Sequence, residues 1–491
     1  MGDATRSVVE SQLRRFLARE VDSRRLEAEG RIPPSLRATA GELGLFGLSI
    51  PEAHGGLGLD LLDCAHLVEE IARVDRSLAT MIGLHNGLGA RPLVERGDPA
   101  LAAEWLPRLA TGEVIAAFAA TEAGAGSDLT RTATRATFEG DEVVLRGEKH
   151  FVTNGGIAGA FTALARTPGR GGERGQALVF VPRDLEGVEI GPEERKLGLN
   201  ASSTVTVSFV DVRLPRSHVL GEEGAGAADA LAALEWGRTL LAAGCVGTAN
   251  AAVHKTLDHV AARRQFGRAL LDLPAVQEQV AQMLRERFAM EALVRAVGRA
   301  HRAGEPFGHL AMAAKVVCSE GVCALADRAV QLHGGLGYLE DTGVARLLRD
   351  ARVTRIFEGA NDVLLVRAGT ALYVTGERPA RVAPGQGAHA RRRAVAEREL
   401  DAAVAVARAR RGLGGVRDQR MLQALARADF ALLTAAACAA RHAADPTTSE
   451  QAVEDQLARA ARWLRGVDDT GARGRRDAAL IDHLVRTEMH A

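Results

Sequence analysis

Cysteine is scarce in this chain. Five residues in 491, Cys64, Cys245, Cys318, Cys323 and Cys438, are scattered, and no pair has the C-x-x-C spacing of a metal or dithiol site. A reduced compartment is therefore expected, and the cytoplasm fits best. An excess of either charge is also missing. The 62 basic residues balance 62 acidic ones, so nucleic acid is not indicated as a partner, nor is a strongly anionic membrane. No apolar run reads as the roughly 18 residues that cross a bilayer. The opening MGDATRSVVESQLRRFL is charged throughout, which reads as an amphipathic helix rather than a secretion signal. Signature loops are absent too. There is no G-x-x-x-x-G-K-[ST], and GAGAAD at Gly224 to Asp229 lacks both the third glycine and the strand-helix-strand context of a dinucleotide fold. Residue 125 is Ala, so Ser127 is not a hydrolase nucleophile elbow, and the 14 histidines form no H-E-x-x-H pair.

What is present is a change of pattern along the chain. Residues 1–115 carry apolar residues at helical spacing, as in LLDCAHLVEEIARV, broken by PEAHGGLGLD and GDP. Residues 116–225 switch to short alternating or β-branched runs such as QALVFVPRD and STVTVSFVDVRLP between Gly and Pro turns. Long helical stripes return over 226–378. After Pro379 the chain passes through RVAPGQGAHA, read as a mobile linker, into an Ala- and Arg-rich helical extension, 390–491. Within the extension Val453, Leu457, Ala460 and Leu464 share one helix face. The run Arg391, Arg392 and Arg393 admits a membrane surface or an acidic partner, but a solvated helix face is the preferred reading. The expected fold class is α+β multidomain: an N-terminal α-helical domain, a middle β domain, a C-terminal four-helix bundle and a C-terminal helical extension.

Four loops and one acid could carry chemistry, and each has an ordinary explanation when taken alone. TEAGAGSDL, Thr121 to Leu129, offers hydroxyls and approachable N–H groups but reads as a turn. In KHFVTNGG, Phe151 and Thr153 share one side of a strand that reads as a hairpin end. RRQFG, Arg263 to Gly267, suits a helix C-terminus, and the glycine pair of VQLHGGLGY suits a helix cap. Glu358, in RIFEGANDV, either begins a helix or acts as a general base beside a cofactor.

Taken in order, these segments resemble the acyl-CoA dehydrogenase family over roughly residues 10–375. The likeness runs from ELGLFGLSIPEAHGGLGLD through TEAGAGSD, GEKHFVTNG and KLGLNASSTVTVSFVDVRLPRSHVLGEEGAG to RRQFGRAL, VQLHGGLGYLED and RDARVTRIFEGAND. The resemblance implies FAD-dependent α,β-dehydrogenation of an acyl-CoA thioester in fatty acid β-oxidation. Glu358 would take the α-proton, the β-hydrogen would leave as hydride to flavin N5, and electrons would pass to electron-transferring flavoprotein. It implies that Phe118, Thr121, Ser127, Phe151 and Thr153 contact the flavin. Arg263, Gln265, Phe266, Gln331, Gly334 and Gly335, extended by Asn361 and Asp362, would hold the pyrophosphate and adenine end, partly from a neighbouring subunit of a homodimer or homotetramer. Ser127, Glu235, Arg238 and Gly359 would line the thioester and pantetheine channel.

In some branches the base lies immediately before the arginine matched by Arg238. Here that residue is Gly237, which cannot titrate. This, the string RIFEGANDV and the long extension most resemble the very-long-chain branch, although Leu84, one turn from Thr80, is large for a very long acyl chain. Ala123 and Ala360 stand where the family usually has proline and threonine. The alternatives are a flavin oxidase, a dehydrogenase for carrier-protein thioesters on the same fold, or a non-catalytic assembly factor.

Overall fold

The computed structural model describes residues 3–168, 175–377, 388–441 and 450–464. The first layer is helical: α1 (Asp3–Glu20), α2 (Ser23–Glu29), α3 (Pro34–Glu42), α4 (Leu61–Val74), α5 (Arg76–Leu84), α6 (Arg91–Arg96) and α7 (Pro99–Thr111). Its boundaries follow capping chemistry. The Asp60 side chain accepts from the Asp63 N–H at 3.0 Å to start α4, and Asp75 accepts from the Leu78 N–H at 2.8 Å to start α5. Along α4, Leu61, Cys64, Ala65, Val68, Ile71 and Ala72 are all buried, a 3.6-residue stripe facing the core.

The middle layer is one sheet of β1 (Ala116–Ala119), β2 (Arg135–Glu139), β3 (Glu142–Thr153), β4 (Ala160–Arg166), β5 (Gln176–Pro182), β6 (Val188–Ile190), β7 (Thr204–Pro215) and β8 (Val219–Gly224). The strand order is β6-β7-β3-β2-β4-β5-β8, with β1 parallel to β4. β3 alternates buried and exposed positions, whereas β4 and β5 are buried almost throughout because helices cover them.

The bundle consists of α8 (Gly226–Ala262), α9 (Pro274–Arg302), α10 (Gly308–His333), α11 (Val344–Arg352) and α12 (Asn361–Thr375). Four of these are long, as the sequence led us to expect. The extension holds α13 (Ala388–Arg411), α14 (Gln419–Ala440) and a further helix over 450–464. Its core belongs to the bundle. Leu422, Leu425, Phe430 and Leu432 of α14 join the same buried cluster as α4, α8 and α10, and Asp429 pairs with His309 of α10 at 2.7 Å. Val453, Leu457 and Ala460 are buried in that cluster too, and Arg285 of α9 binds Asp455 at 2.8 Å. The expected mobile linker lies outside the described residues. The membrane-length expectation needs correction: the helical stretches Gly308–Tyr338 and Gln419–Ala440 are long and apolar enough to cross a bilayer. Of their apolar windows, 78% and 89% are buried inside the protein, which marks both as core helices.

Extension and bundle approach closely at Gly369, where an added Cβ would clash with the Leu422 carbonyl oxygen. Gly369→Ala should therefore push α14 from α12 and destabilise the protein by about 1–3 kcal/mol. A lowered thermal midpoint together with faster amide exchange confined to α12 and α14 checks this.

Candidate active site

The three layers meet at a cleft of 610 Å3. Glu358 lies at its floor, on the turn between α11 and α12. The residue adopts φ 54°, a left-handed conformation that is costly for a side chain with a Cβ. It precedes the α12 N-cap, Ala360, and gives the helix no side-chain capping bond. The turn is held from beneath. Arg238 of α8, buried, donates from Nε to the Glu358 carbonyl at 3.0 Å. Lys315 of α10, fully buried, donates from Nζ to the Gly359 carbonyl at 2.6 Å and to Asn361 Oδ1 at 2.8 Å. Asn361 in turn donates to Ser319 Oγ at 2.9 Å and to Glu320 at 2.8 Å.

This clamp spends its hydrogen bonds on the backbone and leaves the carboxylate bare. Glu358 Oε2 is buried without a hydrogen-bond partner among the described residues. Burial pushes its pKa up to about 7, against the opposing pull of Arg238, Lys315 and Arg76. Burial likewise lowers Arg238 to about 10 and Lys315 to about 8, with Glu358 pulling both back up. A Cβ placed on Gly237 would lie 2.8 Å from Glu358 Oε2 and 2.7 Å from Leu88 Cδ2. A side chain at 237 and Glu358 in this pose therefore exclude each other.

The walls come from the sheet and its loops. Phe118 of β1, Thr121, Ser127, Phe151, Thr153, Arg238 and Gly359 all line the cleft with Glu358. Phe151 and Thr153 lie near the end of β3, where pairing with β7 shifts register between Lys149 and Val152 and Phe151 turns to φ 56°. That bulge presents the Phe151 ring, 65% exposed, to the cleft. Glu235, one turn before Thr239 on α8, is half-buried beside Arg238 and Arg367 and does not line the cleft itself; burial raises its pKa.

The other expected cofactor residues lie elsewhere. Asn361 is buried within the Lys315 network, and Asp362 is exposed on the first turn of α12. Arg263 caps α8 and Gly334 caps α10, and stacking of His259 on His333, with centroids 4.3 Å apart, holds the two helix ends together. Gln265 and Phe266 lie in a tight ribbon, Arg264–Gln265 with Arg268–Ala269, and Phe266 is 88% exposed. Gln331, Gly334 and Gly335 are also exposed. Counting residues along α8 and α10 puts this group about 30 Å from Glu358. Within one protomer the structure thus forms two groups rather than one continuous site.

Sequence reasoning missed three positioning residues. Lys149 is fully buried and donates from Nζ to Glu122 at 2.7 Å and to the Ala120 carbonyl at 3.1 Å. Glu122 also accepts from the Ala133 and Thr134 N–H groups, so the pair fastens the 121–129 loop to β3. Burial lowers Lys149 to about 8, with Glu122 pulling it up. Lys315 is the second. The signal for it was a lone lysine in the apolar stretch AMAAKVVC. Arg76, at the start of α5, is the third: buried, it donates from Nη2 to the Leu241 carbonyl of α8 at 3.3 Å, and its charge opposes the rise of the Glu358 pKa.

Comparison with known proteins matches three family descriptions in order: Acyl-CoA dehydrogenase, N-terminal domain over residues 4–113, middle domain over 117–212 and C-terminal domain over 224–372. The probable acyl-CoA dehydrogenase FadE25 of Mycobacterium tuberculosis is 36% identical over 373 residues, which is 76% of this chain and 94% of that protein. The very long-chain specific acyl-CoA dehydrogenase of Bos taurus mitochondria is 36% identical over 358 residues; the match covers 71% of this chain and 55% of that relative. Among solved structures, an acyl-CoA dehydrogenase complexed with FAD from Bacillus anthracis superposes with a TM-score of 0.84 at 28% identity, covering 96% of this chain and 87% of that one. With its three domains matched in order and a relative covered almost end to end, the chain belongs to the acyl-CoA dehydrogenase family of FAD-dependent oxidoreductases.

Proposed function

We propose that this chain removes the α-proton and β-hydrogen of an acyl-CoA thioester, with Glu358 as the base. The observation that carries the reading is the Glu358 carboxylate: set at the floor of a cleft, its buried Oε2 without a hydrogen-bond partner among the described residues, and raised to about 7 by burial. An α-proton of a thioester is only weakly acidic. A base of raised proton affinity, placed against it without competing bonds, suits its removal.

The cleft fits FAD on two counts. Thr121, Ser127 and Thr153 place hydroxyls, and Phe118 and Phe151 aromatic faces, along one wall opposite Glu358. The Phe151 ring, 65% exposed on a left-handed residue, is a platform for a planar ring system. When bound, FAD supplies the hydride acceptor. The chain's own residues do the rest. Arg238 and Lys315 keep the 358–361 turn from relaxing toward helix, the Glu358 N–H is available to a thioester oxygen, and Leu88 and Phe357 shield the carboxylate from water. Arg263, Gln265, Phe266, Gln331, Gly334 and Gly335 would serve the cofactor of a second copy, which agrees with their exposure far from Glu358. Electron-transferring flavoprotein is the proposed acceptor. Rapid oxygen consumption in its absence would favour the oxidase reading instead.

Three measurements check this. Glu358→Gln should bind FAD and thioester, seen as a perturbed flavin spectrum, yet reduce the flavin about 10² to 10⁴ times more slowly under anaerobic conditions. Near-parental reduction would place the base elsewhere. Because Glu358 must be ionised to accept the proton, and its pKa is raised to about 7, kcat/KM should fall about tenfold per pH unit below that value and level off above it. Lys315→Met removes a cation that lowers the Glu358 pKa, so the profile should move toward alkaline pH. It should also cost about 2 kcal/mol of stability, because the Gly359 carbonyl and Asn361 lose a charged donor.

A further inference from the structure

The turn that carries Glu358 has little backbone support of its own. Ile356 and Phe357 donate their N–H groups to the Val353 carbonyl at 2.8 and 3.2 Å, and the next such bonds among the described residues come from Val363 and Leu364, which donate to the Ala360 carbonyl at 3.0 Å. Between them Glu358 and Gly359 both take a positive φ, 54° and 100°. Arg238 and Lys315 bind the two carbonyls in the middle of this stretch, those of Glu358 and Gly359. A turn fastened only at its middle can still open at its ends.

Glu320 meets both ends. It stands on α10 after Lys315, about one and a half turns along the helix. Its Oε2 lies 2.8 Å from Nη2 of Arg355, on the chain before Glu358, and its Oε1 accepts from Nδ2 of Asn361, on the chain after it, also at 2.8 Å. One oxygen serves each end. Both partners are donors, so the bridge needs the two acceptors of a carboxylate. Ser319 steadies the second arm, its Oγ accepting from the same Asn361 Nδ2 at 2.9 Å. The Glu320 and Arg355 side chains are 39% and 33% exposed, and ion pairs that open to water add little to folding. The consequence of this bridge is therefore sought in the geometry of the turn rather than in stability.

We propose that Glu320 is a positioning residue for the reaction: its two oxygens tie the ends of the turn together through Arg355 and Asn361, and so fix where the Glu358 carboxylate stands in the cleft. This rests on the reading of Glu358 as the base. The charged and titratable groups that face the Glu358 carboxyl are Arg238 and Cys245 of α8, Lys315 of α10 and Arg76 of α5. Glu320 acts on it through the turn, and its charge has one indirect route: burial lowers Lys315 to about 8, and Glu320 is among the groups that pull it back up. When either arm of the bridge is cut, the turn can swing and water reaches Oε2, which has no partner in the closed turn. The carboxyl then falls from about 7 toward the ordinary glutamate range. A weaker base, held over a wider range of distances from the α-carbon, removes its proton more slowly.

The test uses the full-length, FAD-loaded protein and two variants that cut the bridge while leaving the charges around Glu358 in place. Glu320→Asp keeps the carboxylate but is one methylene too short to reach both partners, and Arg355→Met removes the partner at one end. In each, the Glu358 carboxyl, followed by carbon-13 NMR of protein labelled at the glutamate side-chain carboxyls, should titrate below its parental midpoint. Anaerobic bleaching of the flavin by butanoyl-, octanoyl- or hexadecanoyl-CoA, whichever the parent protein turns over fastest, should slow by about 10 to 10² in kcat with little change in KM. The acid limb of its pH profile should move to lower pH together with the NMR midpoint. The double variant should lose no more than the worse of the two, because both changes break one bridge. Parental behaviour of Glu320→Asp, with an effect only in Glu320→Gln, would overturn the inference by assigning the role of Glu320 to its charge on Lys315. An unmoved Glu358 titration in both bridge variants would overturn it as well, and Arg355→Met decides alone should Glu320→Asp fail to fold. Failure of every thioester to bleach the parental flavin removes the dehydrogenase reading, whereas the NMR midpoint still decides whether the bridge sets the Glu358 turn.

Discussion

The structure depends on withholding water and hydrogen bonds from one carboxylate without releasing the turn that carries it. A buried anion with no partner raises its own proton affinity, and a left-handed residue in a short turn tends to relax. Arg238 and Lys315 resolve both difficulties together. Each binds a backbone carbonyl of the turn, so the strained conformation is held, and each contributes positive charge without touching the carboxylate oxygens. Without that charge the carboxyl would be driven further up, and the base would be neutral at the pH where it has to work.

The three layers serve that arrangement. α8 and α10 run parallel, so the clamp residues of both reach the same turn, and the end of α5 and the turn after it close the cleft from the far side through Leu84 and Leu88. The sheet supplies the opposite wall, and the buried Lys149–Glu122 pair keeps its loop in place. The extension completes the outer side of α12 and α9. Its apolar helices are buried, and His309 of α10 lies 2.7 Å from Asp429 of α14.

Much of this was legible in the sequence because the relevant signals are local. Pattern changes at about 116 and 226 follow from strand alternation and helical stripes, and the loops around Thr121, Phe151 and Glu358 stood out as short strings. The Val453, Leu457 and Ala460 stripe was readable for the same reason. What escaped notice depends on facing across distance. Lys315 and Arg76 are single cations on otherwise apolar helices, and nothing in their neighbours tells whether such a side chain snorkels to water or points inward. Gly237 was noticed as a missing base, but its second role, making room for the Glu358 carboxylate, appears only once α8 and the 358 turn are side by side. Asn361 was read as part of a cofactor site, whereas its burial beside Lys315 makes it part of the clamp. The residues near Arg263 and Gly334 were grouped with the cofactor from their order along the chain, whereas their separation from Glu358 depends on helix length and direction.

The central claim is that Glu358 is desolvated and titrates near neutrality, and the most direct test observes that carboxyl alone. Carbon-13 NMR of protein labelled at the glutamate side-chain carboxyl, with Glu358→Gln used to assign the resonance, reports its ionisation across pH. The account predicts a midpoint near 7, displaced upward in Lys315→Met. A midpoint in the ordinary glutamate range of about 4 to 5 would contradict it, because the carboxylate would then be solvated or already paired.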